Sequence, residues 1–245
     1  MSQKHLLKLF SITFLSVIIL SSCGGNNYKK SPLDQIIRDL PRDEVFSVIL
    51  HDMDVRGSVF ETYYHQYQII SDDDGDVDEV ITDWHEVSEK EFNRYINDMG
   101  MEIAARDSTG KLTKNVAPPG YNNYVGNSRY GRWENRGGSS FWAFYGQYAF
   151  MSSLFRMNSY PVSRGYYTDW YGNYRGTDRR YYGPTSGGDS YYGTGSSYSR
   201  TSNPTSTWNS RSSSFRQRVK SRVSRSSSKS SSTSSWRSKS GGFGK

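Results

Sequence analysis

Three runs decide the fold: Val45-Phe46-Ser47-Val48-Ile49-Leu50 and on to Val55, Val59-Phe60-Glu61-Thr62-Tyr63-Tyr64-His65-Gln66-Tyr67-Gln68-Ile69-Ile70, and Val77 to Val87. Each is rich in β-branched and aromatic residues, which suit a pleated, half-buried surface. Arg56-Gly57 separates the first two, and Asp72-Asp73-Asp74-Gly75-Asp76 the last two. Asp-Gly is a strong hairpin signal, because both residues tolerate the positive φ of a tight turn. Three strands joined by tight turns predict an antiparallel meander.

Helices flank it. Pro32 opens Leu33-Asp34-Gln35-Ile36-Ile37-Arg38-Asp39-Leu40, where Leu33, Ile36, Ile37 and Leu40 form one apolar stripe, and Pro41 stops it. Ser88-Glu89-Lys90-Glu91 matches a capping box. The helix it starts carries Phe92, Tyr95, Ile96 and Met99 on one side, and either breaks at Gly100 or continues through Ile103 and Ala104. Residues 32–116 are therefore expected to form a small α+β domain, of a size that gives a marginal core.

Ala117-Pro118-Pro119-Gly120 marks a change of composition. Residues 117–182 are an aromatic-rich segment, with a helix expected near 139–157 on the spacing of Phe141, Phe144, Tyr148, Met151 and Phe155. That helix either covers the meander or lies in a membrane interface. Cover is the expectation, since Arg156 is nearly the only cation beside it. From 183 to 245 the chain is Gly, Ser, Tyr, Thr and Arg. Such a segment buries too little apolar surface to offset its ordering entropy, which predicts a disordered tail.

The N-terminus gives an address. Lys4, His5 and Lys8 precede a Leu9–Leu20 run that is apolar apart from Ser11, Thr13 and Ser16, the pattern of a secretory signal. The run is shorter than the about 20 residues a spanning helix needs. Leu20-Ser21-Ser22-Cys23 resembles the lipobox of bacterial lipoproteins. The resemblance implies a signal peptide over 1–22, cleavage before Cys23, a diacylglycerol on that thiol, and a tether over 23–31. Two acyl chains suit stable anchoring, at about 0.8 kcal/mol per buried methylene. Gly24, rather than Asp, follows the cysteine, which resembles the pattern sent to the outer membrane. Cys23 is the single cysteine, so disulfides and cysteine-based metal or nucleophile sites are excluded. The aromatic island and the Ser240-Gly241-Gly242-Phe243-Gly244 ending also resemble a group of uncharacterised bacterial envelope proteins with no established activity.

Charge is segregated. Residues 31–110 hold 20 Asp/Glu against 6 Lys/Arg, whereas 190–245 hold 11 Lys/Arg and no acid. A basic tail with interleaved aromatics is a form that binds nucleic acid, but an exported chain rarely meets it. Anionic lipid, lipopolysaccharide phosphates, an acidic protein or the chain's own acidic half are the partners to expect. Near an anionic membrane each cation is worth about 1 kcal/mol.

His51, His65 and His85 lie one on each expected strand, the composition of a three-histidine zinc site. Two-residue turns at Arg56-Gly57 and Asp74-Gly75 would pair His65 with Val48 and Trp84. His51 and His85 then leave the face of His65, since faces alternate along a strand. In the acidic loop, an EF-hand register with Gly75 at its sixth position would put Ile70 first, where no ligating side chain exists. A solvated turn is expected instead. No phosphate loop, dinucleotide fingerprint or nucleophile elbow occurs.

The expected protein is thus a non-catalytic, lipid-anchored envelope protein without metal or cofactor, whose basic tail engages an anionic surface or partner. Two alternatives stay open. One is a hydrolytic or metal-dependent enzyme using His51, His65 or His85. The other is a nucleic-acid binder, should the export signal be misread.

Overall fold

The computed structural model describes residues 31–186 and 189–231. Cys23, the apolar run before it, the tether and residues 232–245 lie outside the described residues. The class is α+β. Helix α1 (Pro32–Asp39) starts on its proline and buries Leu33 and Ile37. The strands follow: β1 (Val45–Arg56), β2 (Thr62–Asp73), β3 (Asp76–Ile81) and β4 (His85–Val87). Next come α2 (Glu89–Tyr95), β5 (Glu102–Arg106) and β6 (Leu112–Thr113). The Ser88 hydroxyl accepts from the Glu91 N–H at 3.1 Å and caps α2. The Glu91 carboxylate accepts from the Ser31 hydroxyl, not from the cap's own backbone.

The meander exists, within a sheet larger than three strands. Six antiparallel strands run β3-β2-β1-β5-β6, with β4 pairing β2 beyond the end of β3. Of the two readings for the end of α2, the break holds and the continuation does not: the helix ends at Tyr95, and Ile103 and Ala104 lie in β5, whose five residues are all buried. Gly100 turns the chain from the end of α2 into β5. Its φ of +79° is a conformation that ends a helix and suits glycine.

Both faces of the sheet are covered. Phe46, Val48, Leu50 and Met53 pack against Leu33 and Ile37, Phe92 and Tyr95. On the other face, Ile49 and Ile70 join Tyr121, Tyr124, Tyr130, Trp142 and Phe155 of the aromatic segment. Alternation along β1 sends neighbouring residues to different layers.

The aromatic segment covers the sheet as expected, but not as a helix over 139–157. It forms a hairpin of β7 (Gly131–Arg136) and β8 (Ser139–Phe144), then a 3₁₀ turn at Gly146–Tyr148 and the short helix α3 (Met151–Leu154). Gly137 and Gly138 have φ of +57° and +83°, the two positive values a two-residue hairpin turn requires. Trp133 faces Trp142 across the hairpin, with ring centres 5.2 Å apart and nearly perpendicular. Aromatic β-formers and the Gly-Gly turn overrode the helical spacing. Helix α4 (Arg164–Asn173) follows and buries Trp170.

The described part of the tail is structured, against the expectation of disorder over 183–245. A two-residue ladder joins β9 (Thr185–Ser186) to β10 (Asp189–Ser190). Helices α5 (Ser197–Ser202), α6 (Thr207–Ser210) and α7 (Ser213–Ser231) come after. Serines 163, 196, 206 and 212 each accept, through the hydroxyl, the N–H three residues on. That is how a serine-rich stretch starts helices. Trp208, Val219 and Val223 are 0% exposed in the front core. These few apolar residues find a preformed sheet face to bury against, which compositional reasoning does not see. Among the described residues, no helix is long and apolar enough to cross a membrane.

Candidate anionic-surface interface

The expected tail–anion contact begins inside the molecule. Two acidic residues at the far end of β1 receive the tail. Asp52 Oδ1 accepts from the Ser206 hydroxyl at 2.7 Å, and Oδ2 from the Thr207 N–H at 2.6 Å. An anion at the positive end of a helix is favourable, and here it also satisfies orphan donors. Asp54 is clasped by Arg56 and Arg211, both at 2.9 Å. Further along, Arg222 of α7 pairs with Glu61 at 2.6 Å, and Lys220 donates to Asn97 Oδ1 at 3.0 Å. The acidic half of the chain is thus one partner of its basic tail.

Helix α7 is left with a cationic outer side. Val219 and Val223 anchor it, while Arg218, Arg222 and Arg225 are exposed. Among the described residues, Arg218 and Arg225 form no ion pair. Arg218 lies over the Phe215 ring at 5.2 Å, and Arg225 donates to the Ser221 carbonyl.

The Glu61–Arg222 pair has a second consequence. Glu61 ends the 57–61 loop joining β1 to β2, whose tip, Val59 and Phe60, is 81% and 87% exposed. The apolar tip is therefore held beside the cationic helix. The expected two-residue turn at Arg56-Gly57 is this five-residue loop, and it opens with Gly57 at φ +92°. A Cβ there would sit 2.1 Å from the Phe60 carbonyl oxygen, so the loop's shape depends on the glycine. Val59-Phe60 directly follows a turn, but its residues suit a strand equally well, which hides the tip in the sequence.

The histidines do not assemble. Bulge and loop change the expected register. Met53 pairs with His65, and His51 falls in a shift between Leu50 and Asp52. His65 directly faces His85, contrary to the expected parity, because β4 is offset from β3 by residues 82–84. Yet His65 is 0% exposed, stacked on Phe92 at 5.4 Å between ring centres. Its Nδ1 lies 3.3 Å from the Tyr67 hydroxyl, and Nε2 has no protein partner. Burial lowers its pKa to about 3, so the ring is neutral. Burial also lowers that of His51, with Asp52 and Glu79 opposing. Among the described residues, no group of three or more His, Cys, Asp or Glu could hold a metal ion.

The acidic loop is a turn braced from the aromatic layer. Asp72 accepts from the Tyr130 hydroxyl and, at 2.6 Å, from the Gly75 N–H. Arg129 lies 3.8 Å from Asp72 and 3.5 Å from Asp74. Sequence reasoning also passed over Glu102. It is buried on β5 and accepts from the Asn122 side-chain amide at 2.5 Å and the Gly120 N–H at 3.2 Å. Burial outweighs these bonds and raises its pKa to about 7.

No family model, no curated protein and no solved structure matches this chain.

Proposed function

We propose that this chain is a non-catalytic, lipid-anchored envelope protein that lays one end of its sheet against an anionic bilayer. The observation that carries the reading is the Glu61–Arg222 pair, which joins the exposed Val59–Phe60 tip to the cationic side of α7. An apolar tip beside cations is the arrangement that favours the headgroup region. The aromatic ring enters the interface and the guanidiniums meet lipid phosphate. A diacylglyceryl group on Cys23 supplies the anchor, and the outer membrane is the expected location. The basic side then gives the anchored protein a fixed orientation at the surface.

Two experiments test this. Lipid labelling of the chain in cells is expected to disappear in Cys23→Ala, and labelling that survives refutes the anchor. For the surface, the full chain bearing Cys23→Ala is floated with phosphatidylglycerol or phosphatidylcholine vesicles. Binding is expected for the anionic vesicles alone, reduced about tenfold or more by Arg218→Gln with Arg225→Gln, and by Phe60→Ser. Equal binding to both lipids, or no effect of these substitutions, refutes the surface reading.

A further inference from the structure

On the aromatic layer, a cleft of about 260 Å³ opens between the 107–109 turn, the 122–130 loop and α4. It is remote in sequence from the loop tip and from α7. Its volume lies just under the roughly 300–1,000 Å³ of drug-sized ligand sites, which suits a single ring with substituents.

One wall is aromatic and cationic. Tyr167 and Tyr171, one turn apart on α4, and Arg175 just past its end all line the cleft. Tyr167 is held in place: its ring centre lies 5.6 Å from that of Tyr121 and 5.5 Å from that of Trp133. Gly126 passes so close beneath it that a Cβ would stand 2.6 Å from the Tyr167 hydroxyl. Tyr171 is 52% exposed, and the Arg175 guanidinium lies 4.7 Å over its ring centre. Arg175 makes no ion pair among the described residues.

The opposite side supplies polar groups. Asp107 commits Oδ1 to the Thr109 hydroxyl, the Thr109 N–H and the Lys111 N–H. Its other oxygen is left to accept. Asn123 also lines the cleft and is 5% exposed. Its amide nitrogen donates to the carbonyls of Phe46 and Arg106 at 2.8 and 3.1 Å, which fixes the orientation of the amide. Its Oδ1 is buried and has no donor.

These groups define a ligand. Tyrosine faces pack against the C–H faces of a sugar ring, and the free carboxylate oxygen of Asp107 accepts its hydroxyls. A guanidinium takes a carboxylate through paired N–H donors. The number of charges matters. Arg129 also lines the cleft but leans on Asp72 and Asp74, so Arg175 is the uncommitted cation, and Asp107 opposes a highly charged anion. We propose that this cleft binds a monoanionic sugar acid, a pyranose carrying one carboxylate, within an acidic glycan.

The test is titration calorimetry on the full chain with three probes: a galacturonate oligosaccharide, a glucose oligosaccharide of equal length, and inorganic phosphate. The galacturonate oligomer is expected to bind and the other two not to. Arg175→Gln and Tyr171→Ala, both at exposed residues, are each expected to weaken binding about tenfold or more with an unchanged thermal midpoint. Arg218→Gln on α7 is expected to leave it unchanged. Absence of galacturonate binding overturns the proposal, as does equal binding of glucose oligomer or phosphate. Undiminished affinity in both cleft variants overturns it as well.

Discussion

Arg211 donates to the Asp54 carboxylate at 2.9 Å, across 157 residues of chain. The Asp54 side chain is 6% exposed and holds a second guanidinium, that of Arg56. Removing either arginine leaves the charge paired, so each single alanine variant is expected to cost about 1 kcal/mol. Removing both strands a buried carboxylate, at about 3–5 kcal/mol. Urea unfolding of the two single variants and the double variant measures this, and additive losses would contradict the shared clasp.

Trp208 is 0% exposed and meets Phe92 edge to face, with ring centres 5.7 Å apart. Trp208→Ala is expected to cost about 3–5 kcal/mol. A chain ending at Gly183 loses Trp208, Val219 and Val223 together, uncovering much of the front face. It is expected to lose its cooperative thermal transition by circular dichroism. A truncated chain melting like the full one would show that the tail is not core.

His65 and Glu102 oppose each other in acid. The folded pKa of His65 is about 3, below its usual 6.5. Its contribution is present above pH 6.5 and is lost as pH falls toward 3. The folded pKa of Glu102 is about 7, above its usual 4.5. Its contribution is present below pH 4.5 and is lost as pH rises through 7. Between pH 4.5 and 6.5 the slopes have opposite signs, each roughly 2–3 kcal/mol across the window. Relative to the unchanged chain, His65→Phe is expected to make stability fall more with rising pH, and Glu102→Gln to make it rise more. Denaturant midpoints at pH 4.5, 5.5 and 6.5 read this, and parallel profiles for all three proteins would refute it.

Asp98, 0% exposed, pins the tyrosine-rich segment to the end of α2. Arg180 Nε donates to both its oxygens at 3.0 and 2.9 Å, and the Tyr182 hydroxyl donates at 2.7 Å. Asp98→Ala removes the shared acceptor of the Arg180 Nε–H and the Tyr182 hydroxyl and is expected to cost about 3 kcal/mol. Hydrogen exchange should speed up at Tyr182 and Tyr192, whose N–H donates to the Tyr182 carbonyl. Unchanged protection there would show that the clip is dispensable.

The meander and both early helices could be read from the sequence because their signals are local: Pro32, Asp74-Gly75 and the Ser88 cap each act within a few residues. Strand β5 could not, because Ile103-Ala104-Ala105 is equally compatible with helix until β1 is there to pair with it. The β7–β8 hairpin hid behind aromatic spacing that fits two periods, although Gly137-Gly138 carried the deciding information. The histidine register failed at three places: the bulge at His51, the five-residue loop after Arg56, and residues 82–84, which offset β4 from β3. The tail failed for a different reason. Its anchors are Trp208, Val219 and Val223, too sparse to suggest a core, and its serines act as caps rather than as markers of disorder. The cleft could not be foreseen at all, because its walls come from three separate stretches of the chain.

Val219 and Val223 close a layer that Leu33 and Phe46 begin, so the part of the sheet made first is completed by residues far along the chain. While the intervening residues are made, at about 5–20 per second, Phe46, Val48 and Leu50 lack the part of their cover that Trp208, Val219 and Val223 supply. Contacts of such long sequence separation slow folding, because the intervening chain must be closed into a loop first. The acids on the early strands, meanwhile, keep unfinished chains apart by mutual repulsion until the cations arrive.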